Sequence, residues 1–545
     1  MAPTSCFTGQ VHRLPDAPEA YGAMITRAKA APAQSRSTDL VGLPSASSSS
    51  ATQHDGQTTT LRFMTERTWR GHWWEAATPG VRIPGILRCN EEGEARLELV
   101  GGFDLTIRQP FANGGGYSIS SDRRDVPLIH GSSGSEKFTL LDNSCVHSSG
   151  LGFFDGDITR QDWTSIRILR GIHLESLDAP MFVRAHLRLE RLLHWSHKTA
   201  FRISIERRDG GLPRSKRVEK VEIEPVAVRH ADLEISLRLL TRDFQYEDKK
   251  VSNERSASGW ECAVLTFTPP NPVPCKYFDE VEKDMQDLLT LSTYEPCGAL
   301  SRTLTFEEPD GTPKEVEVIG RQIYRTSSQE KSTRDKEPLF TLADIDFIDV
   351  IPAWLELKGR ARTGCNILFG LRYIDRGYVG TRLLGAATAA ESIHACLRST
   401  STPLTKQEYR KLKDKILAAL SDEPKHLVDF VKTGLRNNPT YNERMLELAS
   451  IPDDGAVDAL LGDRERWARA LKKARNDLAH ANERSSESDE ISQAFLLMEV
   501  TYALLCLVLM SELGVSQEVQ RRAVEMNSKI SHVSRQFKKE MAVPS

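Results

Sequence analysis

Residues 475–480 place side chains suited to phosphodiester chemistry within less than two helical turns. The segment reads RNDLAH, so that Arg475 and Asn476 are followed by His480. A guanidinium group grips phosphate through a planar fork of donors, and an imidazole exchanges protons near neutral pH. These residue types can bind a phosphodiester and move a proton beside it, and such a site needs no metal ligands.

The flanking sequence predicts the helices that carry this motif. Residues 463–474 (DRERWARALKKA) form a basic helical pattern, and residues 494–510 (AFLLMEVTYALLCLVLM) form a long apolar one. The polar segment 482–488 separates them. The apolar segment contains Glu499 and is shorter than the ~20 residues that a membrane span needs. We therefore expect a buried bundle helix and no membrane partner.

Four basic residues precede the motif, and two interpretations of them remain open. Arg466, Arg469, Lys472 and Lys473 either follow a phosphate backbone beside the site or form a solvated helix face with ion pairs to nearby acids. Trp467, which lies among them, is expected in the core or in a dimer interface rather than as a platform for stacking bases.

Helical geometry limits how the arginine and the histidine can cooperate. Residues five apart on an ideal helix differ by ~140° in direction, whereas residues four apart, such as Asn476 and His480, nearly align. Arg475 must therefore reach around the helix with its long side chain, or the helix must be irregular near the motif. In a third arrangement, both groups act on a phosphate at a junction between helices.

The order of these segments resembles the HEPN domain, a small helical bundle whose active members are metal-independent ribonucleases with an R-x-x-x-x-H type of motif. Residues 383–394 (LLGAATAAESIH) are similar to its first helix, with Glu391 as the inward acidic residue. Residues 438–448 (NPTYNERMLEL) are similar to the middle of the HEPN domain in ApeA-type anti-phage proteins. The β-rich N-terminal domain of that family is similar to residues 73–74, 83–87 and 96–103.

The resemblance implies a reaction and a role for each residue of the motif. The ribose 2′-OH of RNA attacks the adjacent phosphate, so that DNA is not cut and products end in 2′,3′-cyclic phosphate or 3′-phosphate. His480 is expected to act as general base or acid, Arg475 to neutralise charge on the phosphoryl oxygens, and Asn476 to orient the histidine or the phosphate. Glu391 is expected near Arg475, and His394 either as a packed residue or as a second contact.

The resemblance also implies partners and a biological role. HEPN ribonucleases dimerise so that two copies of the motif face one cleft, so we expect a homodimer through the HEPN domain, an RNA substrate and no cofactor or metal. ApeA-type proteins imply anti-phage defence by abortive infection, with a phage-derived trigger and a cytoplasmic location. Two alternatives remain open: a non-catalytic HEPN domain that binds RNA or a nucleotide, and an interaction protein whose β-rich domain recognises a partner.

Composition sets further bounds. The chain of 545 residues has 72 basic and 75 acidic residues, so any RNA contact must come from a local basic patch rather than from the overall charge. Nine cysteines are scattered without CxxC pairs, which argues against a zinc ribbon or a disulfide scaffold and fits a reducing cytosol. Cys145 and His147 come nearest to a ligand pair, but an isolated pair of this kind is usually ordinary strand or loop sequence.

Patterning along the chain predicts a multidomain α+β protein, with an antiparallel β-rich domain followed by an all-α HEPN helical bundle. The predicted parts are a disordered tail at 1–60, a β-rich sensor or regulatory domain at 61–330, a connector at 331–375, the HEPN domain at 376–520 and a helical tail at 521–545. Alternation predicts strands at 96–100, 163–169, 182–187, 220–226 and 233–237. Helices are predicted at 187–195 and 279–291, and a hairpin turn at 309–312.

Overall fold

The computed structural model describes residues 66–105, 107–110, 117–120, 125–150, 158–207, 213–249, 254–322, 324, 337–374, 376–398, 402, 404–479 and 488–542. The predicted disordered tail and His480 of the RNDLAH motif lie outside these residues. In the described chain, antiparallel strands come first and most helices follow. This confirms the predicted fold class.

The strands of the described residues are, in chain order, β1 Arg67–Glu75, β2 Ile83–Cys89, β3 Ala95–Val100, β4 Ile107–Pro110, β5 Tyr117–Ser120, β6 Asp125–Ser133, β7 Glu136–Gly150, β8 Ile158–Arg170, β9 Phe182–Leu189, β10 Phe201–Arg207, β11 Pro213–Lys220, β12 Val226–His230, β13 Leu233–Lys249, β14 Glu254–Thr268, β15 Ala299–Glu307 and β16 Pro313–Gly320.

Six of these strands close into an antiparallel barrel in the order β8-β3-β2-β1-β6-β7, with β7 pairing back onto β8. Alternate side chains fill its interior, and Trp73, Phe138 and Trp163 are fully buried there. A side chain at Gly131 would lie 2.1 Å from the indole of Trp73, so only glycine leaves room for that ring. The barrel therefore has its own packed core.

The remaining long strands extend the sheet away from the barrel in the order β8-β16-β15-β9-β14-β13-β12. The branch arises because one edge of β8 pairs with β3 near residues 160–165 and with β16 near residues 167–170. Helix α1 (Leu192–Ser196) and helix α2 (Phe278–Thr293) pack on this part, and their buried side chains join those of the sheet in one cluster.

The helical region comprises α3 Phe347–Tyr373, α4 Val379–Leu397, α5 Lys406–Ala419, α6 Lys425–Gly434, α7 Tyr441–Ala449, α8 Asp454–Leu461, α9 Arg464–Ala479, α10 Ser488–Glu512, α11 Gln517–Met526 and α12 Ser528–Ala542. The segment Glu490–Glu512 of α10 is long and apolar enough to cross a membrane, but 83% of its most apolar 18-residue window is buried inside the protein. It is the central core helix of the bundle, as the sequence predicted.

Helix α3 joins the sheet and the bundle into one continuous hydrophobic core. On one side, the indole Nε1 of Trp354 donates to the backbone oxygen of Asp284 in α2 at 2.6 Å. On the other, Gly364 lies so close to α4 that a Cβ there would be 2.7 Å from Ile393. The helix bends at Ala361, whose backbone angles are non-helical. The bend allows α3 to pack against both α2 and α4.

Two buried ion pairs fix α3 in this position. The Nζ of fully buried Lys358 lies 2.7 Å from the carboxylate of Asp287 in α2. Arg372 makes two hydrogen bonds of 2.9 Å to the carboxylate of Glu499 in α10, and its guanidinium lies 4.7 Å from the ring centre of Tyr294. Burial raises the pKa of the Tyr294 hydroxyl well above its usual value. Neither pair is indicated by the local sequence.

Most element predictions are confirmed, and two are wrong. Helix α2 contains the predicted segment 279–291, and the predicted turn joins β15 to β16 with Gly311 at a φ of 82°. The helix predicted at 187–195 is wrong because β9 continues through Leu189 and pairs with β15, which leaves only α1 helical. The strand predicted at 220–226 is wrong because the chain between β11 and β12 has alternating residues but pairs with no strand of the described residues.

Candidate functional site

Helices α4, α7 and α9 meet where the sequence placed its candidate residues. The indole of Trp467, which is fully buried on α9, donates a hydrogen bond of 3.0 Å to Oγ1 of Thr501 in α10. This contact holds α9 against the core. Thr440 caps the N-terminus of α7 in a capping box, in which Thr440 and Glu443 exchange hydrogen bonds of 2.7 and 3.3 Å. The hydrogen bond of Trp467 and the capping box of Thr440 fix the axial position and the rotation of α9 and α7.

One carboxylate is shared between two arginines at this junction. Glu391 of α4 lies 2.8 Å from Nη1 of Arg444 in α7 and 3.3 Å from Nη2 of Arg475 in α9. The side chains of Glu391, Arg444 and Arg475 are 29%, 26% and 39% exposed. Two guanidinium groups on a single carboxylate leave one positive charge unmatched within the trio. The contact between Glu391 and Arg475 is the one that the family resemblance implied.

The ring of Tyr441 lies close to the guanidinium groups of both arginines. Its ring centre lies 5.4 Å from the guanidinium of Arg475 and 6.0 Å from that of Arg444, within range for cation–π attraction. The residue is 9% exposed, and burial raises the pKa of its hydroxyl above the usual range. The ring is therefore a neutral surface that holds the two guanidinium groups side by side.

The RNDLAH motif is helical up to Ala479, the last residue of α9. Arg475 Nη1 donates a long hydrogen bond of 3.4 Å to the amide oxygen of its neighbour Asn476, and both side chains are partly exposed. His480 lies outside the described residues, so its role remains a prediction.

The predicted RNA-contacting residues Arg469, Lys472 and Lys473 are all exposed on α9, and none forms an ion pair with a described residue. At 100° per residue, Lys472 lies ~60° and Arg469 ~120° from Arg475, on the side of Asn476. Lys473 lies ~160° away and faces in a different direction. The helix therefore groups Lys472 and Arg469, more than Lys473, with the site.

Arg444 and Tyr441 belong to the site although the sequence assigned them no role, and His394 takes one of its two predicted positions, that of a packed residue. Arg444 appeared only within the segment similar to HEPN proteins, although its spacing of three residues from Tyr441 predicts a shared helix face. His394 is 2% exposed and lies 2.7 Å from the carboxylate of Glu447 on α7. It packs there, one turn from the Glu391–Arg444 pair, rather than against Arg475.

Cys145 and His147, the nearest approach to a metal-ligand pair, both lie on β7. The thiol of Cys145 donates to the backbone oxygen of His147 at 3.3 Å. The described residues contain no group of three or more His, Cys, Asp or Glu side chains arranged to hold a metal ion.

Comparison with protein families finds two matches that follow each other along the chain. The family model for ApeA N-terminal domain 1 matches residues 68–354, more than half of the chain. The chain belongs to the ApeA family. The model for the Apea-like HEPN domain matches residues 384–519, which include Glu391, Arg444 and Arg475. Comparison with curated proteins and with solved structures finds no match.

The two matches together make the chain a HEPN-containing defence protein of the ApeA type. The N-terminal match covers the barrel, the extended sheet and the first turns of α3. The HEPN match begins within α4 and ends in α11, so it contains every helix that contributes to the shared carboxylate.

Proposed function

We propose that the chain is a metal-independent endoribonuclease that acts in anti-phage defence. The observation that carries the proposal is the trio of Glu391, Arg444 and Arg475, because its excess positive charge sits at a partly open helix junction inside a HEPN domain. Such a charge suits a phosphodiester, and the proposal takes RNA as its substrate.

In the proposed reaction, a base removes the proton of a ribose 2′-OH. The 2′-oxygen forms a bond to the adjacent phosphorus, and the bond from phosphorus to the 5′-oxygen breaks. His480 serves as base or as the acid that protonates the leaving 5′-oxygen, and the partner copy supplies the complementary group. Arg475 stabilises the negative charge that grows on the phosphoryl oxygens.

The neighbouring residues prepare these groups. Glu391 acts as a positioning residue, because its carboxylate contacts Arg444 at 2.8 Å and Arg475 at 3.3 Å and thereby fixes where the Arg475 guanidinium lies. Asn476 orients the phosphate or the histidine through its amide. Lys472, Arg469 and, less directly, Lys473 attract the RNA backbone beside the site.

The proposal includes a homodimer through the HEPN domain, which brings two copies of the motif to one cleft. It also includes a cytoplasmic location and abortive infection, in which the β-rich region responds to a phage-derived trigger and RNA cleavage stops growth. No cofactor takes part.

RNA cleavage in the absence of metal ions tests this activity. Purified protein incubated with total RNA in excess EDTA should cleave it, because the proposed site uses no metal. Arg475→Ala should lower the cleavage rate about 100- to 1,000-fold, and His480→Ala should lower it about 100- to 10,000-fold. Product ends are read by mass spectrometry, with 2′,3′-cyclic phosphate or 3′-phosphate expected.

Arg535→Ala is the matched control, since Arg535 is an exposed arginine on α12 that bonds only to the backbone oxygen of Ser531 among the described residues. Intact RNA that is nevertheless bound, with binding lost in Arg475→Ala, would replace the nuclease by a non-catalytic RNA or nucleotide binder. If RNA is neither cut nor bound, the remaining alternative is an interaction protein whose β-rich domain recognises a partner.

A further inference from the structure

Residues 404–437 form a helical hairpin, here called the arm, inserted between two elements of the candidate site. It contains α5 and α6 and separates α4, which supplies Glu391, from α7, which supplies Arg444. Asn437 closes its base with two hydrogen bonds to the backbone of Leu404, of 2.7 and 3.1 Å. The arm therefore begins and ends next to the helices that build the site.

The arm contributes little to the core. No residue of α5 or α6 is buried, although α5 has a full capping box and both helices have an apolar side. Leu412, Leu427 and Phe430 are 46%, 43% and 77% exposed. A well-formed element that buries none of its residues leaves its surface available to a partner.

The charge of the arm differs from that of the rest of the chain. It has eight Lys and Arg residues against five Asp and Glu, which leaves 64 basic and 70 acidic residues elsewhere. The arm is thus a positive segment of an otherwise acidic protein. Its eight cations are Lys406, Arg410, Lys411, Lys413, Lys415, Lys425, Lys432 and Arg436.

None of these eight cations forms an ion pair with a described residue. Several basic residues elsewhere in the bundle form ion pairs. Arg464 pairs with Asp454 and Asp458, and Arg521 pairs with Asp453. Cations without an ionic partner among the described residues, on helices that bury none of their side chains, favour a polyanionic partner over an apolar or basic one.

We propose that the arm binds the backbone and bases of single-stranded RNA that extends beyond the cleaved phosphate. Lys411 and Lys415, one turn apart on α5, contact phosphates, and Lys432, which lies ~160° around α6 from Phe430, contacts a phosphate further along the strand. Phe430 offers an exposed ring on which a base stacks, a mode of contact that accepts any base. The arm would then help to select long, unpaired RNA over short fragments.

This inference rests on the proposed function, so its test separates binding from cleavage. The probe is a 2′-O-methyl oligonucleotide of about 20 nucleotides, which lacks the attacking hydroxyl and stays intact. Binding to the full chain is measured across a range of salt concentrations. The triple variant Lys411→Gln, Lys415→Gln and Lys432→Gln should reduce the slope of log affinity against log salt by about 2, at ~0.7 for each lost phosphate contact.

Phe430→Ala should weaken binding about tenfold without changing the slope, because stacking releases no counterions. The control variant Lys276→Gln, Lys314→Gln and Lys539→Gln removes the same charge from elements outside the arm and should leave the slope unchanged. The triple variant should still cleave a dinucleotide at the wild-type rate, since the site itself is intact.

The proposal is overturned if the triple variant binds the oligonucleotide with wild-type affinity and slope. It is also overturned if the variant instead changes the sedimentation of the protein from dimer to monomer at equal RNA affinity, because the arm would then be a contact between copies. Absence of cleavage by every form, with the expected binding results, would reject the nuclease and leave the arm as an RNA-binding element.

Discussion

At the scale of single residues, distance decides which arginine of the trio is available. Glu391 lies 0.5 Å closer to Arg444 than to Arg475, at 2.8 against 3.3 Å, and Arg475 is the more exposed of the two. A charge-assisted hydrogen bond weakens as it lengthens beyond about 2.9 Å. The negative charge of Glu391 therefore interacts mainly with Arg444, and N–H groups of Arg475 remain available to bind a phosphate.

Arg444→Ala tests this division. Glu391 would then neutralise Arg475 alone, so we expect affinity for the uncleavable oligonucleotide to fall about tenfold, which corresponds to about 1.4 kcal/mol. Arg444→Lys should recover part of the loss because it keeps the charge. Binding is measured by fluorescence anisotropy.

Arg464→Ala is a matched control, since Arg464 also bridges two neighbouring helices through carboxylates, those of Asp454 and Asp458 in α8. It should leave RNA affinity unchanged. Wild-type affinity in Arg444→Ala would show that the second guanidinium has no part in holding the charge at the site.

At the scale of elements, α3 determines how the sheet and the bundle are joined. Its buried pair with α10, Arg372 and Glu499, has side chains only 12% and 9% exposed. Removing one partner of a buried pair leaves an uncompensated charge in a region of low dielectric constant. The position of α3 thus depends on a contact between residues 127 positions apart.

Glu499→Leu should therefore destabilise the protein by about 3–5 kcal/mol. The double variant Arg372→Met and Glu499→Leu should recover most of that loss because no unpaired charge remains. The free energy of unfolding is measured with urea. Equal destabilisation in the single and double variants would mean that shape, rather than charge, dominates at this contact.

The same two helices offer a control in the more exposed pair of Arg360 and Glu512, which lies at 3.6 Å with side chains that are 57% and 19% exposed. Glu512→Gln should change stability by less than about 1 kcal/mol because water screens this pair.

At the scale of the whole molecule, the sheet and the bundle share a core that runs from β9 through α2 and α3 into α10. Parts joined by a continuous apolar core lose their stability together. Because the barrel has a separate core, we expect this shared transition for the extended sheet and the bundle, with the hydrogen-exchange protection of β9, α2, α3 and α10 lost together.

A fragment limited to residues 376–520 should be insoluble, since it lacks α3 and exposes the surface of α4 that packs against Gly364. Loss of amide protection in α10 at a different urea concentration from that in β9, or a soluble and folded fragment, would show that the bundle is independent of the extended sheet.

Much of the local structure could be predicted because it depends on neighbouring residues. The period-two pattern at 163–169 and the apolar run at 494–510 specify β8 and α10 through the side chains that each must bury. The same logic misled at 187–195, where leucines at helical spacing belong partly to a strand. Periodicity is a property of a segment, and it does not show whether a partner strand is present.

The sequence by itself determined the order of the regions, the helix that carries Arg475 and the residue types available for phosphate chemistry. The tertiary structure decided that β7 returns to β8 to close a barrel, that Arg444 shares Glu391 with Arg475, and that the arm buries none of its helical residues. These features join residues far apart in the chain. They depend on how complete helices and strands pack, because a charge or an apolar face finds its partner only when the elements are assembled.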